Sequence, residues 1–241
     1  MSIARSSESS GRLSLAEHAY IVIRDRILKG EIPLGTELSR RKLAAELGLS
    51  LLPVTEALQR LENDELVESQ PRVGTRVCLP TAEDIRERYE IREALESQAA
   101  RLFAVRASVR DRMELEKMGE HMDAMFNRST GSGSDREFLY AVHSYHLQFH
   151  LRIAEGANCK ALKNTIEKNH VLIFNWLFDV AAHRPALPVR FHRDLVETIN
   201  QGNVEEADHA MREHIRHGLE TIVSGIGPGT ALGGAPVRRI R

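Results

Sequence analysis

The segment Leu38–Val77, LSRRKLAAELGLSLLPVTEALQRLENDELVESQPRVGTRV, constrains the chain more than any other. Leu43, Ala44 and Leu47 fall on one helical face that ends at Gly48, a residue that tolerates the left-handed conformation closing a helix. Ser50 then stands where its hydroxyl caps a second helix, and Pro53 sits in the first turn, where a missing N–H breaks no bond. Val54, Ala57, Leu58 and Leu61 recur at helical spacing and pack on the first helix, which turns Leu51, Leu52, Thr55 and Gln59 outward. Leu66–Ser69 and Val73–Val77 read as short strands around Gln70-Pro71-Arg72, with Gly74 near the tip. Helix, turn, helix and a two-stranded wing in that order describe a winged helix-turn-helix, whose second helix enters the major groove of DNA. The pattern implies a DNA-binding regulator.

Charge alone is silent on this point. The formal net charge is −1, and residues 14–79 hold nine Lys/Arg against ten Asp/Glu. A phosphate-binding surface must come from clustering, and Arg40-Arg41-Lys42, with Arg72 and Arg76 in the wing, supplies a cluster. With 42% hydrophobic and 28% charged residues the composition is that of a globular protein and excludes general disorder. The N-terminus lacks an apolar run, and the apolar segment Val171–Ala182 is short and carries Asn175 and Asp179, so neither a signal peptide nor a membrane span is expected. Cys78 and Cys159 lack C-x-x-C spacing and read as small buried residues in a reducing cytoplasm.

Ahead of the motif, Leu15, Ala19, Val22, Ile23 and Ile27 form an amphipathic helix ending at Gly30. From Thr81 the character changes. Thr81-Ala82-Glu83-Asp84 caps a helix to about Val105, with Ile85, Tyr89, Arg92, Leu95 and Gln98 at helical spacing. Further helices are expected over Ser108–Asn127, Asp135–Ala154, Asn158–Asp179, Pro188–Ile199 and Val204–Val223, with breaks at Ser129–Ser134, Gly156, Arg184–Pro188 and Gly202. The fold class is mainly α: a winged helix over 13–79, an all-helical bundle over 80–224, and disordered ends at 1–12 and 225–241.

The bundle concentrates imidazoles. His146 and His150 share a helical face, with His143 a turn earlier, while His192 and His214 lie at similar heights on a hairpin turning at Gly202. Four neutral imidazoles on three helices suit a borderline divalent metal; the alternative is a set of ordinary core or surface histidines. Arg92 falls near the apolar side of its helix, where it either clamps a ligand carboxylate or pairs with a bundle glutamate such as Glu96 or Glu155. Phe174, Trp176 and Phe178 read as core.

Across positions 14–223 the chain resembles the GntR transcriptional regulators, specifically the FadR subgroup with the helical FCD effector domain. The matching elements are LSRRKLAAELGLS, PVTEALQRLE, DELVE, PRVGTRV, YEIREALE, FHLRIAEGAN and HRDLVETINQGNVEEADHAMREHI. The resemblance implies a homodimer on a palindromic operator of double-stranded DNA and a small carboxylate metabolite bound over a metal. By position it implies His146, His150, His192 and His214 as metal ligands and Arg92 as the effector contact. His146 stands where the family usually has an aspartate, which favours Zn, Ni or another nitrogen-tolerant ion. Where the family reads close to SRTPVREAL, this chain reads SLLPVTEAL, so Leu51 and Thr55 replace two arginines that often contact DNA; thymine methyl groups suit the leucines. The expected DNA contacts are Arg40, Arg41, Ser50, Leu51, Leu52, Thr55, Arg72 and Gly74.

Two other functions compete. A metal sensor would respond to the ion itself. A metalloenzyme would use the histidines catalytically, but no H-E-x-x-H arrangement or activated nucleophile is visible, and it would leave the winged helix unexplained.

Overall fold

A computed structural model describes residues 13–70, 74–129, 136–169 and 187–224. The chain ends expected to be disordered, Arg72 at the wing tip and the Phe174–Trp176–Phe178 group lie outside the described residues. The elements follow as α1 (Leu15–Leu28), β1 (Glu37–Leu38), α2 (Arg40–Leu47), α3 (Leu51–Asn63), β2 (Val67–Gln70), β3 (Gly74–Val77), α4 (Ala82–Arg106), α5 (Val109–Ser129) and α6 (Arg136–Gly156). A helix over 160–169, here α7, precedes α8 (Phe191–Asn200) and α9 (Val204–Ser224).

The helix-turn-helix is built by local chemistry. Ser39 Oγ accepts the Lys42 amide at 3.3 Å to open α2. Gly48, at φ +65°, closes it, and the amides of Gly48 and Leu49 donate to the carbonyls of Ala45 and Ala44. Ser50 occupies the cap position of α3, but its hydroxyl makes no capping bond, contrary to expectation. The third helical residue is Pro53, which has no N–H, so one of the two amides a capping hydroxyl reaches is missing. Val54, Ala57, Leu58 and Leu61 are buried with Ile23 and Ile27 of α1 and Leu43 of α2. The wing is larger than the two strands expected. Glu37 and Leu38 pair antiparallel with Arg76 and Thr75, giving a three-stranded sheet in the order β1-β3-β2. Two residues are too few for alternation to show in a sequence.

A full capping box opens α4: the Asp84 amide donates to Thr81 Oγ1 at 3.2 Å and the Thr81 amide to Asp84 Oδ2 at 2.7 Å. Its buried stripe runs Ile85, Tyr89, Arg92, Glu96, Ala99, Ala100, Phe103. Gln98, expected on that stripe, is exposed, because the face that follows Arg92 passes through Glu96 and not through Leu95. α4 packs along α9 and against α6, while α5 packs on α6 and α8, giving a helical bundle. Gly156 is the last residue of α6 and not a break before it; a Cβ there would lie 2.4 Å from Phe103 ring carbons, so glycine is what lets α6 approach α4. The chain turns one residue later, at Ala157–Asn158, with Asn158 at φ +51°.

Both cysteines are half-buried and not fully buried, Cys78 just past the end of β3 and Cys159 just before α7. Burial first, then Glu68, pushes the Cys78 thiol up to about 12. Among the described residues no helix is long and apolar enough to cross a membrane.

Candidate functional site

The helix-turn-helix presents Arg40, Arg41 and Lys42 in the exposed first turn of α2. Leu51 and Leu52 are exposed in the first turn of α3, and Gly74 is exposed at the start of β3. Thr55 is half-buried, and its hydroxyl donates to the Leu51 carbonyl at 2.8 Å. Arg76, counted in the basic cluster, is bound by Glu68, with Nε 2.6 Å from Oε1. The exposed positive charge therefore sits on α2 more than on the described part of the wing.

The second group lies inside the bundle, where α6 supplies His146 and His150, α8 supplies His192 and α9 supplies His214. His150, His192 and His214 are buried and His146 is half-buried. One ligand atom from each of His146, His192 and His214 lies within 4.8 Å of the other two. The centre is walled by aromatic rings: Phe126 stacks on His192 at 5.2 Å, Phe191 stacks on His214 at 4.5 Å, and Phe149 meets His192 edge-on at 5.5 Å.

Asp123 of α5 orients this group and was not anticipated from the sequence. Its Oδ1 accepts from His192 Nδ1 at 2.8 Å and from the His192 amide at 2.9 Å, and its Oδ2 accepts from the Arg193 amide and Nε, both at 3.2 Å. Burial would raise the carboxyl's pKa, but these donors, His192 foremost, hold it below the usual range. With Nδ1 donating to Asp123, the His192 lone pair is on Nε2, which is buried and has no hydrogen-bond partner among the described residues. A signal did exist: Asp123 is the acidic residue on a buried stripe with Leu115 and Gly119 at helical spacing.

His150 is held differently. Its Nδ1 lies 2.5 Å from Glu96 Oε2, and its Nε2 lies 2.9 Å from Arg92 Nη2 and 3.0 Å from His146 Nε2. An arginine only donates, so Nε2 is the accepting nitrogen and Nδ1 carries the proton toward Glu96. Arg92 and Glu96, both buried, bond to each other at 2.6 Å. The partner of Arg92 is thus Glu96; Glu155 instead meets Arg152 and Lys163.

His146, His192 and His214 are all held below the usual histidine pKa by burial first; the neighbouring imidazoles and Arg92 add to this for His146 and His214, while Asp123 opposes it for His192. The unfolded chain then takes up protons that the folded chain refuses. Stability of the metal-free protein is full above the unfolded pKa of about 6.5 and falls as pH drops through and below it. Melting temperatures of chelator-treated protein across about pH 5–8 should fall on the acid side; a flat profile would show that these imidazoles protonate freely in the fold.

Comparison with known proteins matches both the head and the helical bundle. Residues 15–77 match the gntR family of bacterial regulatory proteins, and residues 87–217 match the FCD domain. The HTH-type transcriptional regulator YdhC of Bacillus subtilis (strain 168), itself uncharacterized, is 28% identical over 83% of this chain and 88% of its own length. The probable D-xylose utilization operon transcriptional repressor of Paenarthrobacter nicotinovorans is 29% identical over 85% of this chain and 87% of its own. Among solved structures, E. coli McbR/YncC superposes with a TM-score of 0.69 at 22% identity, covering 88% of this chain and 99% of that one. A transcriptional regulator GntR from Rhodococcus sp. RHA1 gives a TM-score of 0.72 at 21% identity over the same shares. At these identities the superpositions speak for the fold, while the family matches cover both halves of the chain. The chain belongs to the GntR family of bacterial regulatory proteins, combines its DNA-binding head with an FCD domain, and is a transcriptional regulator and not an enzyme.

Proposed function

We propose that this regulator is a cytoplasmic homodimer whose affinity for a palindromic operator is set by a small carboxylate, bound over a divalent transition metal in the helical domain. In this reading residues 13–79 form the head and 80–224 the effector and dimerisation unit. His146, His150, His192 and His214 hold the ion, Zn or Ni by donor type, and Arg92 contacts the effector. The observation that carries it is the buried Nε2 of His192, which has no hydrogen-bond partner among the described residues, is fixed by Asp123 and shares a 4.8 Å cluster with ligand atoms of His146 and His214. The residues fit such an ion. Ligand atoms of His146, His192 and His214 already lie within 4.8 Å of one another, and His150 would join them by giving the Nε2 lone pair that now accepts from Arg92 to the ion. Once bound, the ion would supply a Lewis-acidic cation for the oxygens of an anionic ligand. The xylose-operon relative is named for control of sugar utilisation, in keeping with a small-metabolite signal.

A second reading, in which the ion alone is the signal, is favoured by one fact: Arg92 is already engaged by Glu96 and His150. Operator affinity of metal-stripped protein, measured with ion alone and with ion plus a panel of small carboxylates, separates the two. A response only to the pair supports the metabolite, a full response to the ion supports the sensor, and no response to either removes the regulatory role of the centre.

On the DNA side the proposed contacts are Arg40, Arg41, Ser50, Leu51, Leu52, Thr55, Arg72 and Gly74. Arg41→Ala should weaken binding to many sequences alike and reduce the slope of log K against log salt by about one for each phosphate that Arg41 neutralises. Unchanged affinity and slope would take Arg41 out of the interface.

A further inference from the structure

Helix α3 meets the groove with an unusual set of side chains. Its first turn displays two adjacent leucines, Leu51 at 49% and Leu52 at 67% exposure, while the opposite face, Val54, Ala57, Leu58 and Leu61, is buried in the head. Leu51 and Leu52 therefore lie outside the core, and the apolar surface they leave in water gains nothing for folding. The first turn itself, Leu51-Leu52-Pro53-Val54, carries no polar side chain, and the exposed Glu56 and Gln59 lie further along the helix. The Thr55 hydroxyl is occupied by the Leu51 carbonyl. Arg60 is the helix's one basic residue, and it is drawn to the other side, with Nη1 3.2 Å from Glu17 Oε1 and the guanidinium 4.0 Å from the centre of the Tyr20 ring. No guanidinium on α3 is free to take the paired acceptors of a guanine.

We infer that Leu51 and Leu52 read the 5-methyl groups of thymines in the operator, so that sequence choice by the first turn of α3 rests on apolar contact. The inference rests on α3 being the recognition helix. Duplex DNA is the occupant the fold itself provides: these residues are at the N-terminal end of the second helix of a helix-turn-helix, the end that reaches base edges, beside the exposed Arg40-Arg41-Lys42 turn. Within the major groove the one apolar group a base pair offers is the thymine methyl. Attraction to phosphates then comes from α2 and selectivity from α3, two separable terms.

The test uses a duplex selected from a random pool by the full-length protein, and the same duplex resynthesised with deoxyuridine for every thymidine. Uracil keeps each hydrogen-bonding group and lacks only the methyl. Wild-type protein should bind the uracil duplex about fourfold more weakly for each methyl covered, and so about tenfold or more weakly overall. The Leu51→Ala/Leu52→Ala variant should bind the thymine duplex more weakly than wild type and bind both duplexes about equally; since both side chains are exposed, its circular dichroism and melting temperature should match wild type. Leu52→Ala alone should fall between. Equal binding of the two duplexes by wild type overturns the inference, as does an undiminished thymine preference in the double variant. A DNA-free self-association of wild type that the double variant abolishes would also overturn it, because the leucines would then cover a second copy of the chain. If α3 is not the reader at all, the double variant binds the thymine duplex as wild type does, which distinguishes that failure from a defect confined to methyl reading.

Discussion

Stripping the purified protein with a chelator should lower its melting temperature by about 10 °C. An ion at roughly a thousandfold its dissociation constant contributes about 4 kcal/mol, and in a chain of this size each kcal/mol moves the midpoint by about 2–4 °C. The expectation follows from the placement of the histidines on α6, α8 and α9, which an ion would cross-link. His192→Ala and His214→Ala should each purify without metal. Asp123→Asn should keep the metal but bind it about 10–100-fold more weakly, because the amide no longer fixes the His192 proton on Nδ1. His146→Asp should retain an ion and shift preference toward oxygen-seeking ions such as Mn. Elemental analysis and melting curves of the four variants decide the matter. Wild-type protein that holds no metal and cannot be reloaded at neutral pH, or full occupancy in His192→Ala and His214→Ala, would mean that the cluster is a packing feature.

The local devices of the fold were legible because each is written in neighbouring residues. Gly48 closes α2, Thr81 and Asp84 form a reciprocal cap, and Val54, Ala57, Leu58 and Leu61 mark the buried face of α3, all within reach of a spacing argument. Some local expectations failed for local reasons. Ser50 is denied an amide partner by Pro53, and β1 is too short to carry a pattern. The candidate centre was legible in kind but not in wiring. Spacing brought His146 and His150 together, and the arithmetic of the α8–α9 hairpin brought His192 level with His214. What spacing does not reveal is which group locks which proton. Asp123 reaches His192 across 69 residues, and Arg92 reaches His150 across 58, so both bonds exist only after the bundle has packed. The choice of Glu96 over Glu155 as partner of Arg92 was open for the same reason: both carboxylates were plausible until Arg152 and Lys163 were seen to hold Glu155.

Arg92→Ala should destabilise the ligand-free protein by about 3 kcal/mol or more, since removing one member of a buried ion pair leaves the other charge uncompensated. Arg92 and Glu96 have side chains only 4% and 3% exposed, and Arg92 keeps its proton more firmly than usual: burial works against the charge, but Glu96 and Tyr89 together outweigh it. In the alanine variant the Glu96 carboxylate would be left with His150 Nδ1 as its near neighbour from this network. Stability measured in urea should therefore be largely recovered in Arg92→Ala/Glu96→Gln, where neither member carries a charge. That double variant separates the two roles proposed for Arg92. If the guanidinium also receives an effector carboxylate, the refolded double variant, saturated with metal to offset the weaker binding that loss of the Glu96 carboxylate behind His150 entails, should bind operator as wild type does and yet show no carboxylate-dependent change in operator affinity, because a ligand shifts an equilibrium only through contacts that differ between the two states. A preserved response in the double variant would confine Arg92 to the ion pair. Full ligand-free stability in Arg92→Ala would show that Glu96 does not need it.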